Sequence, residues 1–328
     1  MSQYQKHYLI TGGAGFIGSH LINALKDDSD LLITCVDNFD PFYARQVKLL
    51  NTEDWEDYQN ILVFDRNIVG LTALELEKIL PQPVDVIIHL AAKAGVRPSI
   101  ADPVGYQQTN VVGTQMLIDF ARLTGVKQFV FASSSSVYGV NKNLPWTEEE
   151  RLQPISPYAM TKLAGEMAGH VASHLTGLRF VALRFFTVFG PAQRPDLAIH
   201  KFIRAIETGE AIPFYGDGST SRDYTYVDDI VKGVLAAIKY EASSFEIINL
   251  GNRYSISLKE LVQTIEEVTG KKAVINRMPE QEGDVPHTYA DISKAQRLLN
   301  YQPTTKLKDG VDAFYQWFLK NKELLLLS

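Results

Sequence analysis

Three observations predict an α/β fold, a doubly wound parallel sheet with a smaller C-terminal α/β region. Short apolar runs alternate with helical stretches through the first part of the chain. The first run, His7 to Thr11, meets Gly12-Gly13-Ala14-Gly15-Phe16-Ile17-Gly18 and then a helical stretch, Ser19 to Lys26. A second run, Leu31 to Val36, ends at Asp37, twenty-five residues after Gly12. Glycines at 12, 15 and 18 permit a tight turn, close approach of a pyrophosphate and close helix packing. The helix N-terminus adds backbone amides for the anion. A glycine pattern alone often just makes turns; between a strand and a helix it fits the Rossmann dinucleotide motif.

Each later element extends that plan. Asp37 can accept hydrogen bonds from an adenosine ribose and would repel a 2′-phosphate, which favours NAD over NADP. Asn38 follows it in what is otherwise a strand-ending turn. Ile61 to Phe64 reads as a third strand ending at Asp65, a candidate for the adenine edge. Thr72 to Leu80 is helical until Pro81 and Pro83 break it. Val84 to Leu90 is a fourth buried strand, opening into Ala91-Ala92-Lys93-Ala94-Gly95-Val96-Arg97. Small residues at a strand's carboxyl end let a cofactor lie close, so Leu90, Ala91, Ala92 and Lys93 join the cofactor set together with Phe16 and Ile17. A long helix is expected over Pro103 to Leu123, with Asn110 as a polar packing residue in its middle. Gln128 to Ala132 is a fifth strand, and Arg179 to Phe186 a sixth. Beyond it come helical stretches at 198–207, 227–240, 258–269 and 307–320, with short strands at 212–215, 247–250 and 273–276. The expected division is 1–190 for the dinucleotide-binding part and 191–328 for a region that closes over the crevice. Some of its segments are expected to return to the main sheet.

Bulk composition excludes several classes. Hydrophobic residues make up 45% and charged residues 21% of the chain, an ordinary soluble balance. A net charge of −6 gives no general basic footprint for nucleic acid. One cysteine, Cys35, excludes a disulfide framework and a cysteine metal site, and no metal is expected. The N-terminus carries no signal-peptide pattern and no apolar run reaches membrane-spanning length, so a cytoplasmic location is expected.

The chemistry centres on Ser133-Ser134-Ser135-Ser136-Val137-Tyr138-Gly139 and on Tyr158-Ala159-Met160-Thr161-Lys162. The second stretch opens a helix, with Ser156 as cap and Pro157 at its first position. Tyr158 and Lys162 lie four residues apart, on one helix face. A lysine ammonium beside a phenol favours the phenolate. With a serine hydroxyl nearby, the pair can move a proton on and off a sugar alcohol. The plain alternative is a packed tyrosine beside a solvated lysine.

Taken together, these pieces resemble the extended short-chain dehydrogenase/reductase family of nucleotide-sugar epimerases and dehydratases. The matching residues are Thr11 to Gly18, Asp37-Asn38, His89-Leu90-Ala91-Ala92, the serine run with Val137-Tyr138-Gly139, Tyr158 with Lys162, Arg184-Phe185-Phe186, Gly216-Asp217-Gly218 through Arg222-Asp223-Tyr224, and Gly283-Asp284-Val285. Dehydratases of this family carry acids after the substrate-binding hydroxyl residue. Here those positions are Ser135 and Ser136, which agrees with epimerases. Arg184 to Pro191 followed by Arg194-Pro195-Asp196 resembles the UDP-glucuronate 4-epimerase branch. UDP-glucose or UDP-N-acetylglucosamine 4-epimerisation is the alternative, and a non-catalytic NAD-binding scaffold is an alternative of another class.

The resemblance implies bound NAD that exchanges hydride with sugar C4. Tyr158 takes the hydroxyl proton, and Ser134 hydrogen-bonds the same hydroxyl. Lys162 holds the tyrosine ionised and grips the nicotinamide ribose. It further implies Arg222 on the diphosphate, Asp284 on the uridine ribose, and a homodimer built on the helices at 103–123 and 157–175. Arg222 could instead pair with Asp223 at the surface, Asp284 could shape a turn, and Arg97 could meet a phosphate or brace a loop. For glucuronate, Arg194 is the candidate to grip the sugar carboxylate. Thr187, with Ser135 or Ser136, would add hydroxyl donors. Arg194 could instead pair beside Asp196 on the surface.

Overall fold

The computed structural model describes residues 4–279 and 285–327. The first half of the chain runs β1 (Lys6–Thr11), α1 (Phe16–Leu25), β2 (Leu31–Asp37), α2 (Arg45–Asn51), β3 (Ile61–Asp65), α3 (Ala73–Ile79), β4 (Val86–His89), α4 (Val96–Ala101), α5 (Pro103–Gln107), α6 (Gly113–Thr124), β5 (Gln128–Ser134) and α7 (Pro157–Thr176). The second runs β6 (Arg179–Phe185), β7 (Thr187–Phe189), α8 (Ala198–Thr208), β8 (Ala211–Tyr215), β9 (Ser221–Arg222), β10 (Tyr224–Tyr226), α9 (Val227–Ile238), β11 (Phe245–Leu250), β12 (Ile256–Ser257), α10 (Leu258–Thr269), β13 (Val274–Met278), α11 (Ser293–Leu299), α12 (Leu307–Lys320) and α13 (Lys322–Leu327).

Seven strands form one parallel sheet in the order β11-β6-β5-β4-β1-β2-β3. Every residue of β2 and of β5 is buried, as expected of parallel strands covered on both faces. One face packs on α1, α9 and α11, through Leu21, Ile22, Ile230, Val234 and Leu299. The other packs on α3, α6 and α7, through Leu76, Leu117, Phe120, Ala121 and Ala172. A third cluster joins α8, α10 and α12 around Phe202, Leu261, Phe314 and Phe318. The strand expected at 247–250 is β11, and it lies in the main sheet beside β6. The chain turns outward in opposite directions from β1, so β1 and β4 flank the switch point where such sheets bind ligands.

Local chemistry sets the ends of α7. Ser156 accepts from the Ala159 N–H, Pro157 opens the first turn, and Gly177 closes the last at φ 73°. Two glycines bring this helix onto the sheet. A Cβ at Gly165 would come within 2.4 Å of the Phe131 ring, and one at Gly169 within 2.2 Å of Phe180. That close approach sets the height of Tyr158 and Lys162 above β5.

The helix expected over Pro103 to Leu123 is not continuous. Between α5 and α6 the chain makes a π turn, Gln108–Val112. The extra residue aims Asn110 inward, where it does more than pack. Asn110 Oδ1 accepts from the Lys93 N–H at 2.8 Å, and Nδ2 donates to Lys93 O at 2.9 Å and to Thr161 Oγ1 at 3.0 Å. One side chain thus ties the loop after β4 to α7.

His89 makes a second tie. Thr114 donates its hydroxyl proton to Asn110 O at 2.6 Å, so it accepts from His89 Nε2–H at 2.9 Å, and Nδ1 accepts from Thr11 at 2.7 Å. Burial first, and then the Lys162 charge, push the imidazole pKa down to about 3. The folded value lies below the unfolded one, so this stabilisation is full above about pH 6.5 and is lost as pH falls towards 3. His89→Gln should therefore reduce the loss of stability on acidification by up to about 1.4 kcal/mol per pH unit below 6.5, read from urea midpoints at pH 7 and 5. Equal pH slopes for variant and wild type would exclude a neutral buried imidazole.

Candidate active site

A cleft of about 630 Å³ opens at the carboxyl ends of β1, β4, β5 and β6. That is the size of a small-molecule site. At its floor, Gly12 has φ 72°, and a Cβ there would lie 2.6 Å from Ala91 N. A Cβ at Gly18 would lie 2.4 Å from Gly12 O, while one at Gly15 would meet only Gly12 O, at 3.2 Å. The loop is closed on the protein side and open above Gly15, which is the cradle a pyrophosphate needs at the start of α1. Gly12, Gly15, Phe16, Ile17, Gly18, Asp37, Asn38, Leu90, Ala91, Ala92 and Lys93 all line the cleft. They fit NAD.

Asp37 is buried at the end of β2. It accepts from the Phe39 N–H at 2.8 Å and from Lys48 Nζ at 3.2 Å, both on Oδ1. Lys48, on α2, lines the cleft with it and partly cancels its charge. Repulsion of a 2′-phosphate is therefore weaker than the lone carboxylate implies, and Oδ2 is the atom left for a ribose. Nothing in the spacing from Asp37 to Lys48 signals this pairing.

Tyr158, Lys162 and the serines meet beneath the sugar end. Lys162 Nζ donates to Ala132 O at 2.6 Å and lies 5.9 Å from the centre of the Tyr158 ring. Burial lowers the Lys162 pKa to about 7, opposed by Glu166 one turn further along α7. Burial raises the Tyr158 phenol above its ordinary value, and the Ser134 hydroxyl and the Arg194 charge pull it down. Arg194, itself paired with Asp196, thus joins Lys162 among the cations around the phenol. Ser134 also accepts from the Ser136 N–H at 3.2 Å and donates to Ser136 Oγ at 3.1 Å, so the serine run is held as a capped turn.

Behind this floor, Glu166 is fully buried. It accepts from Ser133 and takes Arg184 bidentately, Nε at 2.9 Å and Nη2 at 2.8 Å. Arg184 Nη1 donates to the Tyr138 hydroxyl at 2.9 Å, which donates to Asn249 at 2.7 Å. The network fastens α7, β5, β6 and β11 together, with each charge paired. Arg184 belongs to a stretch that matches the family pattern, whereas nothing in the sequence points to Glu166.

Thr187 and Arg194 line the cleft beside Tyr158, with Phe42, Tyr43 and Tyr106. Arg194 does pair with Asp196, as one reading expected, but at the cleft wall, with its side chain 18% exposed. Phe42, Tyr43 and Tyr106 carried no motif and were not anticipated.

Three expected residues do not line the cleft. Asp65 pairs with Arg45 at 2.6 Å, half exposed, and does not line the cleft. Arg97 is exposed, its guanidinium 6.0 Å from the Tyr215 ring. Arg222 donates to the carbonyls of Ser221 at 2.9 Å and Pro286 at 3.2 Å, away from the cleft wall. Asp223 beside it is buried, and its carboxylate accepts from the Asn252 and Ala290 amides and the Thr225 hydroxyl. Asp284 lies outside the described residues. Among the described residues no group of three His, Cys, Asp or Glu could hold a metal, and no helix is long and apolar enough to cross a membrane.

A parallel sheet with a pyrophosphate cradle and a Tyr-Lys-Ser floor at one switch point defines an NAD-dependent enzyme acting on an alcohol or ketone carbon. Comparison with known proteins narrows the class. The family model for GDP-mannose 4,6 dehydratase matches residues 9–314. An uncharacterized protein of Methanocaldococcus jannaschii is 41% identical, over 98% of both chains. The UDP-glucuronate 4-epimerase of Thermodesulfobacterium geofontis is 36% identical, over 97% of this chain and 98% of its own. The crystal structure of the UDP-glucuronic acid 4-epimerase of Bacillus cereus, in complex with UDP-glucuronic acid and NAD, superposes with a TM-score of 0.90 at 35% identity, covering 96% of this chain and 99% of that one. The chain belongs to the extended short-chain dehydrogenase/reductase family of nucleotide-sugar epimerases and dehydratases.

Proposed function

We propose that the protein epimerises UDP-glucuronate and UDP-galacturonate at C4. The observation that carries this reading is Arg194, a guanidinium at the wall of the cleft close enough to act on the Tyr158 phenol. Relatives of matching length that carry the same activity in their names support it. NAD, when bound, accepts and returns the hydride of the sugar carbon. The protein's own residues do the rest. Tyr158 removes and restores the proton of the 4-hydroxyl, with Ser134 as hydrogen-bond partner. Ser134 and Arg194 favour the phenolate against the burial that raises its pKa, and Lys162 stands beside the ring. Ser135, Ser136 and Thr187 supply hydroxyls along the sugar, and Arg194 holds its carboxylate. Dehydration would need a further acid and base beside Ser134, where this chain has only hydroxyls. Incubating the holoenzyme separately with UDP-glucuronate, UDP-glucose and UDP-N-acetylglucosamine tests the reading. Turnover of a neutral sugar alone would leave the UDP-glucose or UDP-N-acetylglucosamine reading in its place. The Asp196 partner, which neutralises Arg194, is the observation that favours that second reading.

The reading includes a cytoplasmic homodimer built on α6 and α7. Met167, Val171 and Leu175 form an exposed stripe at four-residue spacing, 46%, 54% and 73% exposed. It flanks a groove floored by Ile118 and Ala172. Such a stripe on a long helix needs a partner, and a second copy of the same face supplies one. Val171→Glu should shift the protein from dimer to monomer in light scattering; a wild type that is monomeric at micromolar concentration would sink the proposal.

A further inference from the structure

Arg194 is held from one side. Its Nε donates to Asp196 Oδ1 at 2.9 Å and its Nη2 to Oδ2 at 2.7 Å. The turn between them is closed by the Leu197 N–H on Arg194 O at 3.2 Å, so the pairing is local and needs no distant element. The guanidinium carbon sits 5.4 Å from the centre of the Phe42 ring. Arg194 pulls the Tyr43, Tyr106 and Tyr158 phenols down, and Asp196 pushes those of Tyr43 and Tyr106 up. Arg194 lines the same cleft as Tyr158, so the pair stands at the wall of the reacting centre.

We infer that Asp196 is a specificity-determining residue, a resident carboxylate that competes with an acidic sugar for Arg194. The inference rests on the UDP-glucuronate reading. An arriving carboxylate meets a guanidinium with one edge already taken, and it also feels the negative charge behind that edge. A neutral hexose feels neither. Asp196 thus narrows the affinity gap between acidic and neutral sugars and eases release of an anionic product. The pair is partly solvated, 18% and 31% exposed, so releasing it costs the protein little.

Titration calorimetry of the holoenzyme with UDP-glucuronate and UDP-glucose tests this, for wild type, Asp196→Asn and Asp196→Ala. Removing the like charge should tighten UDP-glucuronate about tenfold in both variants and change UDP-glucose by less than about twofold. The neutral sugar also reports whether each variant is folded. Unchanged or weaker UDP-glucuronate binding with near-normal UDP-glucose binding overturns the role of Asp196 alone. A wild type that binds UDP-glucose and ignores UDP-glucuronate overturns the substrate reading, and this inference with it.

Discussion

Tyr158→Phe should lower the epimerisation rate by about a hundredfold or more, the usual scale of acid–base catalysis. The ring stays in the cleft, edge-on to Tyr106 with centroids 6.3 Å apart, so packing is preserved and only the proton acceptor is lost. UDP-sugar affinity should therefore persist while kcat collapses. The same site makes a pH prediction for the wild type. The phenol is raised by burial, so the fraction ionised grows with pH, and kcat should rise from neutral into alkaline conditions. The variant should lose that limb. Near-normal turnover in Tyr158→Phe would remove the tyrosine from the mechanism altogether.

Arg194→Ala should weaken use of UDP-glucuronate far more than use of UDP-glucose. Once the sugar covers the site, truncating its charged hydrogen bond to Arg194 costs roughly 2–5 kcal/mol. The carboxylate at C5 becomes that of a β-keto acid once C4 is oxidised. Carbon dioxide leaves when the C5–carboxylate bond stands perpendicular to the ketone plane, because its electron pair then flows into the carbonyl. A guanidinium that fixes the carboxylate direction prevents that alignment. The variant should thus also release carbon dioxide from UDP-glucuronate. A second consequence follows from the geometry and applies to both sugars. Arg194 is one of the two groups that pull the Tyr158 phenol down, so its loss should move the rising limb of the kcat profile to higher pH with UDP-glucose as well. Kinetics on both sugars across pH separate these effects. An equal loss on both sugars with no shift of the limb would leave Arg194 a structural residue.

The sequence by itself determined the parts whose chemistry is local. Glycine spacing between a strand and a helix fixed the pyrophosphate cradle, because only that backbone leaves room above Gly15. Alternating apolar runs fixed the parallel sheet, and Ser156-Pro157 fixed where α7 starts and so which face Tyr158 and Lys162 share. The tertiary structure decided what depends on residues far apart in the chain. It showed that Asn110 lies in a π turn and binds the loop after β4, since only the packed sheet brings Lys93 and Thr161 to it. Only the fold could show Lys48 against Asp37, and Asp65 drawn away by Arg45. Above all it decided the charges around Tyr158. Spacing on a helix puts a lysine near a phenol, but the pKa of each depends on how much water and which other charges the whole fold leaves around them. Here burial lowers the lysine's pKa, and an arginine from the loop after β7, thirty-six residues beyond the tyrosine, adds its charge near the phenol.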